Sequence, residues 1–281
     1  MAAIISLGEI ARNGSLIYEN FETKIKLVDS LNHKILTSKE TNKVKERAAA
    51  TLGYMCIHQD LLFDQNSSPI QPTYTIESKH FDTFNKYIMQ KLLDSSQAKQ
   101  IELHMAIGEA LVNCALGKSS NASLNSWITN FDDETEISNT VDMLDLNKKM
   151  DEPTEDLIWL LNTLLNSYMP NPNQHLRQAS CFWLLIFVKK TSRVSQIVAK
   201  NLFKIQDAFI QRLGENDEIT QEVASKGIGV VFSMANDEQK KHLVSRIVDT
   251  LGGSKQKKTA ANEGTTVSSA ESGLKVLVLP A

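Results

Sequence analysis

Residues 48–53 read Ala48-Ala49-Ala50-Thr51-Leu52-Gly53, and the same small-residue pattern returns as Ala3-Ile4-Ile5-Ser6-Leu7-Gly8 and Ala224-Ser225-Lys226-Gly227-Ile228-Gly229. Alignable copies lacking one element start at Leu103, which ends on Gly108, and at Ala179, which passes through Trp183-Leu184. The starts lie 45, 55, 76 and 45 residues apart. A period of about 40–47 residues is what an array of stacked helix pairs produces, because one pair cannot bury its apolar face alone. Glycine inside a helix costs roughly 0.5–1 kcal/mol against alanine. Its return in copy after copy predicts a compensating gain, the close approach of a neighbouring helix.

Outward from these copies the chain reads as helix, turn, helix. Phe21, Ile25, Val28, Leu31 and Ile35 fall at steps of three and four, one face of a helix. The Ala48–Gly53 helix spans about 42–58. Pro69 and Pro72 interrupt a polar stretch at 64–75, after which Phe81, Phe84, Ile88 and Leu92 mark a new helix. Its partner follows Asp94-Ser95-Ser96 and runs to about Leu116. Residues 157–165 are apolar nearly all round, which predicts a helix buried between neighbours. Pro170-Asn171-Pro172 forces a turn, and helices are expected over 174–190, 192–213 and 216–235. A last one begins at Asn236, where Gln239 stands at capping-box offset. No stretch alternates as a half-buried strand does. The fold class is all-α, an α-solenoid of HEAT-like helix pairs over residues 1–116 and 154–251.

Two segments depart from this order. Residues 117–153 lack helical periodicity, and between Phe131 and Asp156 ten acidic residues stand against Lys148 and Lys149, a local balance of −8. A long loop in a repeat array is a partner-contacting excursion or a solvated spacer; its charge favours the spacer. The 76-residue step is then an ordinary 45 plus about 31 residues of insertion. Residues 252–281 read as a flexible Gly-, Ser-, Thr-, Ala- and Lys-rich tail ending in Leu274-Lys275-Val276-Leu277-Val278-Leu279-Pro280-Ala281.

Composition limits the function classes. Hydrophobic residues make up 42% and charged residues 22%, ordinary globular usage. A net charge of −3 gives no basic footprint for nucleic acid. The longest apolar run, near 182–188, is far too short to cross a membrane, so no membrane insertion is expected. Cys56, Cys114 and Cys181 are odd in number, far apart and set in apolar helical stretches, which reads as buried free thiols.

Candidate chemistry falls to structural explanations. Gly117-Lys118-Ser119 resembles the end of a phosphate loop, but Val112 stands where the earlier glycine belongs, and a glycine helix cap accounts for it better. Gly227-Ile228-Gly229 lacks the third glycine of a dinucleotide fingerprint and reads as helix packing. Cys56-Ile57-His58 has no second pair of metal ligands. The histidines His33, His58, His80, His104, His175 and His242 are scattered, and Gly-x-Ser-x-Gly is absent. Asp132-Asp133-Glu134 has no calcium-loop spacing. Lys189-Lys190-Arg193 and Lys255-Lys257-Lys258 read as solvated basic faces. No catalytic, cofactor-binding or metal-ligating residue is assigned, and no enzyme activity is expected.

Several blocks carry a resemblance. Leu7-Gly8-Glu9-Ile10-Ala11-Arg12-Asn13-Gly14 is one; residues 38–48 from Ser38-Lys39-Glu40 to Arg47-Ala48, followed by Thr51-Leu52-Gly53-Tyr54, are another. Further blocks are Ala98-Lys99-Gln100-Ile101-Glu102-Leu103 with Ile107-Gly108-Glu109-Ala110, and Pro170-Asn171-Pro172 with Arg177-Gln178-Ala179 and Trp183-Leu184-Leu185. Glu215-Asn216-Asp217-Glu218 leading into Ala224-Ser225-Lys226-Gly227 completes them. Collinear over about residues 1–251, they resemble a family of giant HEAT-repeat proteasome adaptor and scaffold proteins. The resemblance implies a non-catalytic scaffold without cofactors, whose partner is the proteasome, both regulatory particle and core particle. Other adaptor or trafficking proteins are further implied partners. It also implies a cytoplasmic and nuclear location, with peripheral endomembrane association through partners. The alternative is another HEAT scaffold, a nuclear transport carrier or a phosphatase scaffold. No short binding motif of the family maps onto particular residues. Against the family the chain is expected to start inside a repeat, at the second helix of a pair, as a fragment, isoform or truncated gene product would. Ile4, Ile5, Leu7 and Ile10 then lack a partner helix, and self-association or fraying there is expected.

Overall fold

A computed structural model describes residues 1–13, 21–36, 39–57, 83–95, 100–117, 152–192 and 194–261. Most of the acidic insertion (residues 118–151), His58, His80, the polar stretch at 64–75 and the end from 262 onward lie outside the described residues. Two compact units divide the chain, Met1–Asn201 and Leu202–Ala281.

The first unit is two rows of helices. One row holds α1 (Ala2–Asn13), α3 (Asn42–Tyr54), α5 (Ile101–Leu116) and α7 (Gln174–Thr191), each packed on the next. The other holds α2 (Phe21–Leu36), α4 (Phe84–Asp94) and α6 (Glu155–Thr163), the last prolonged by a π-helical turn at Leu164–Tyr168. α2 packs on α3 and α4 on α5, while the π turn packs on α7, so helices pair across the rows. A short α8 (Ile197–Lys200) closes the unit. In the second unit α9 (Leu202–Arg212) pairs with α10 (Glu218–Met234), and α11 (Asp237–Ala261) packs mainly on α9. No β-strand forms among the described residues. The arrangement is the all-α helical-repeat fold that the periodicity predicts.

Helix starts follow local chemistry. Thr83, Thr154, Asn173 and Asp217 each accept a backbone N–H from the first turn of α4, α6, α7 and α10. At α11 the box is reciprocal: Asn236 N–H donates to Gln239 Oε1 and Gln239 N–H to Asn236 Oδ1, both at 2.9 Å. After Pro170 the chain is held by Arg177, whose guanidinium donates to the carbonyls of Asn171 at 2.9 Å and Pro172 at 2.8 Å.

Four expectations are corrected. The helix expected over 192–213 is broken, because Ser195 Oγ accepts the Ile197 N–H and the Asn201 amide takes the Ile197 carbonyl; such side chains compete with the helical ladder. The helix expected to reach His58 ends at Tyr54, and Met55–Ile57 form a turn. The last helix runs to Ala261, past the expected boundary at 251. Residues 157–165 are not buried all round: Leu157, Leu160, Leu161 and Leu164 face inward, while Ile158 is 43% exposed. α6 meets its neighbours from one side only. The helices enclosed on all sides are α5, buried from Leu103 to Leu116, and α7, buried from Ala179 to Val188. α5 packs against four helices, α3, α4, α6 and α7.

Candidate interaction scaffold

Glycine decides how closely the first row stacks. A Cβ added at Gly8 on α1 would stand 2.9 Å from Thr51 Oγ1 on α3. One at Gly53 on α3 would stand 2.6 Å from Ala110 Cα on α5. One at Gly108 on α5 would meet Ile186 Cδ1 at 2.8 Å and Trp183 Cδ1 at 2.9 Å on α7. Three successive seams therefore close where the pattern places glycine, and the close approach offsets the lost helix propensity. The fifth copy, at Ala224, is read differently. Gly227 faces the Phe209 ring of α9, 2.5 Å from an added Cβ, whereas Gly229 has nothing within 4 Å and is exposed. Packing accounts for Gly227 only.

Polar side chains mark the same seams. Thr51 Oγ1 donates to Arg47 O at 2.8 Å and to Ile4 O at 3.3 Å, joining α3 to α1. Trp183, fully buried, donates its indole N–H to the His104 carbonyl at 2.9 Å. The His104 ring lies edge-on to that indole at 6.4 Å, with both ring nitrogens buried and without a hydrogen-bond partner. Burial, with His175 adding to it, lowers the His104 pKa to about 4, so the ring is neutral near pH 7. Across α5 and α7, Lys190 Nζ lies 3.8 Å from Glu109 Oε1, both side chains largely buried. Burial pulls the Lys190 ammonium below its usual pKa while Glu109 holds it up. The basic cluster at 189–193 is thus not a solvated face at Lys190; its ammonium serves the α5–α7 seam. Local charge density could not show this, because Glu109 is 81 residues away in sequence.

The second row is tied by polar pairs. Tyr87 of α4 donates its hydroxyl to Asp29 Oδ1 of α2 at 2.9 Å, and Ser95 Oγ donates to Asn32 Oδ1 at 2.8 Å. Burial, then the Asp29 bond, pushes the Tyr87 phenol up. Asp156, counted in the acidic run, is part-buried and accepts the Thr83 hydroxyl at 3.0 Å at the start of α4, and burial raises its pKa. Glu152, from the same run, pairs with Lys200.

The remaining singled-out residues do not converge. Gly117 caps α5 with φ +53°, a conformation favouring glycine, and its N–H donates to Asn113 O. The three cysteines are all buried, and none forms a disulfide among the described residues. His33 and His242 are exposed, His242 edge-on to Phe203 at 5.0 Å. Among the described residues no three His, Cys, Asp or Glu side chains group as metal ligands, and no helix is long and apolar enough to cross a membrane. On α1, Ile5 is 40% and Ile10 56% exposed, while Ile4 and Leu7 are part-buried.

The blocks that carry the sequence resemblance coincide with these seams and caps, at Gly8, Gly53, Gly108, Glu109, Trp183 and Asp217. No protein-family model matches the chain. Over 271 residues it is 38% identical to the human proteasome adapter and scaffold protein ECM29, covering 95% of the chain and 13% of that protein. The chain is a homologue of the ECM29 proteins. It is also 28% identical over 236 residues to the Drosophila melanogaster proteasome-associated protein ECM29 homolog, covering 84% of the chain and 10% of the relative. To the Saccharomyces cerevisiae proteasome component ECM29 it is 24% identical over 162 residues, 58% of the chain and 8% of the relative. The chain thus spans a small part of the length of each ECM29 relative.

Proposed function

We propose that this chain is a non-catalytic segment of a proteasome adaptor and scaffold. Within that role it helps tether the regulatory particle to the core particle and link the assembly to cellular compartments, in cytoplasm and nucleus. The observation carrying the reading is the match to human ECM29 along 95% of the chain, a protein named for proteasome adaptation and scaffolding. The fold supports it. Among the described residues Thr51, Trp183 and the Glu109–Lys190 pair join neighbouring helices, and stacked helix pairs supply extended surface for binding. Affinity purification of a tagged protein containing this segment from cell extract tests the reading. Co-enrichment of regulatory-particle and core-particle subunits is expected. Recovery of the tagged protein with no proteasome subunits above the untagged background overturns it.

A further inference from the structure

Cys56, just past the end of α3, and Cys114 of α5 are 58 residues apart, and their sulfurs lie 3.3 Å from each other in a buried contact. Both reach toward the same carbonyl, Leu52 O, at 3.8 and 3.9 Å. The seam holds them together. Gly53 lets the α3 backbone rest on Ala110 of α5, and the cysteines follow these residues by one helical turn. Position along the helices differs in a useful way. Cys114 is within the last turn of α5, whereas Cys56 has left α3 and sits in the turn Met55–Ile57. There Cys56 N–H donates to Gly53 O at 3.3 Å and Ile57 N–H to Tyr54 O at 3.2 Å. Met55, Cys56 and Ile57 are all buried, so oxidant reaches the pair when this turn opens locally.

We propose that Cys56 and Cys114 form an oxidation-dependent disulfide that locks α3 to α5. The inference is independent of the proteasome reading. Free sulfurs at 3.3 Å must close by about 1.3 Å to reach the bonded distance of about 2.05 Å. Yielding of the 55–57 turn supplies this movement without separating the Gly53–Ala110 contact. Cys56 is the sulfur that attacks the oxidant first, because it sits in the turn beyond α3 and the half-buried Lys24 ammonium lies within electrostatic reach of it. Burial and the neighbouring Cys56 push the Cys114 thiol up, which keeps Cys114 protonated until it resolves the pair. With hydrogen peroxide as oxidant, the Cys56 sulfur attacks one peroxide oxygen and the O–O bond breaks. The departing hydroxide takes the Cys56 proton and leaves as water. Cys114 sulfur then attacks the Cys56 sulfenic sulfur, and the second hydroxide leaves as water with the Cys114 proton. Two thiols are oxidised and one peroxide is reduced to two waters.

Intact-mass measurement and peptide mapping test this on the folded chain treated with hydrogen peroxide, beside the same chain unfolded in guanidinium. The expected product has lost two hydrogens, yields one peptide pair joining Cys56 and Cys114, and reverts with dithiothreitol. Closing a loop of that length raises the Tm of the oxidised chain by about 5–10 °C. Cys56→Ser and Cys114→Ser each abolish the linked peptide, and Cys181→Ser leaves it unchanged. Oxidation to sulfenic or sulfinic acid without the linked pair overturns the proposal. So does any disulfide containing Cys181, or a native chain still fully reduced when the unfolded control is oxidised.

Discussion

Two glycines at the same place in two copies of one pattern respond in opposite directions to the same substitution. At Gly53 an added methyl would lie 2.6 Å from Ala110 Cα and 3.2 Å from its carbonyl oxygen, where ordinary contact begins at 3.4 Å. The obstacle is backbone in the middle of α5, a helix buried from Leu103 to Leu116, so α3 must move by roughly an ångström. Overpacking of this kind costs about 1–3 kcal/mol, against about 1 kcal/mol gained in helix propensity and unfolded-state entropy. With backbone as the obstacle the cost falls at the upper end, and Gly53→Ala destabilises by about 1–2 kcal/mol. At Gly229 nothing lies within 4 Å, so only the propensity gain remains. Gly229→Ala therefore stabilises by about 0.5–1 kcal/mol. Urea unfolding followed by circular dichroism, each variant beside the wild type, reads both signs. Neutral or stabilising behaviour of Gly53→Ala, or destabilisation by Gly229→Ala, refutes the view that glycine sets the seam spacing.

Other outcomes follow from the α5–α7 seam. His104 has a folded-state pKa of about 4 against an unfolded value near 6.5. Its contribution is fully present above pH 6.5 and is lost as pH falls through 4, by about 3 kcal/mol in total; His104→Leu should flatten that part of the stability–pH curve, and equal slopes in the two proteins would exclude the assignment. Lys190→Met leaves the Glu109 carboxylate in a largely buried setting and should cost on the order of 1–3 kcal/mol, most of it recovered when Glu109→Gln is added; a double-mutant cycle in urea measures the coupling. Trp183→Phe removes the indole bond to the His104 carbonyl and leaves a gap in a fully buried site, which should lower stability by about 2–3 kcal/mol in the same assay.

Much of this architecture was legible because its signals are local. Apolar spacing gave the α2 face, with Ile25, Val28, Leu31 and Ile35 all buried, and the Asn236–Gln239 offset gave a cap that forms reciprocally. The recurrent glycines gave the close helix approaches at Gly8, Gly53 and Gly108. What failed depends on residues distant in sequence. Nothing around Gly229 says that its face stays open, since that is decided by which helix lies opposite. Lys190 looks solvated beside Lys189 until Glu109 is brought against it from α5. The run at 157–165 is more uniformly apolar than α5, yet α5 is the enclosed helix because four neighbours surround it. Burial of both His104 nitrogens has the same origin, and its sole sequence signal is a place beside Leu103, where a copy of the pattern starts.

The scaffold claim meets its most direct test in native-gel electrophoresis of purified proteasomes with a protein containing this segment, followed over time after dilution. Co-migration with the assembled proteasome, and slower separation of regulatory from core particle than in proteasomes alone, is the predicted result. Absence of co-migration together with an unchanged rate of separation would contradict it.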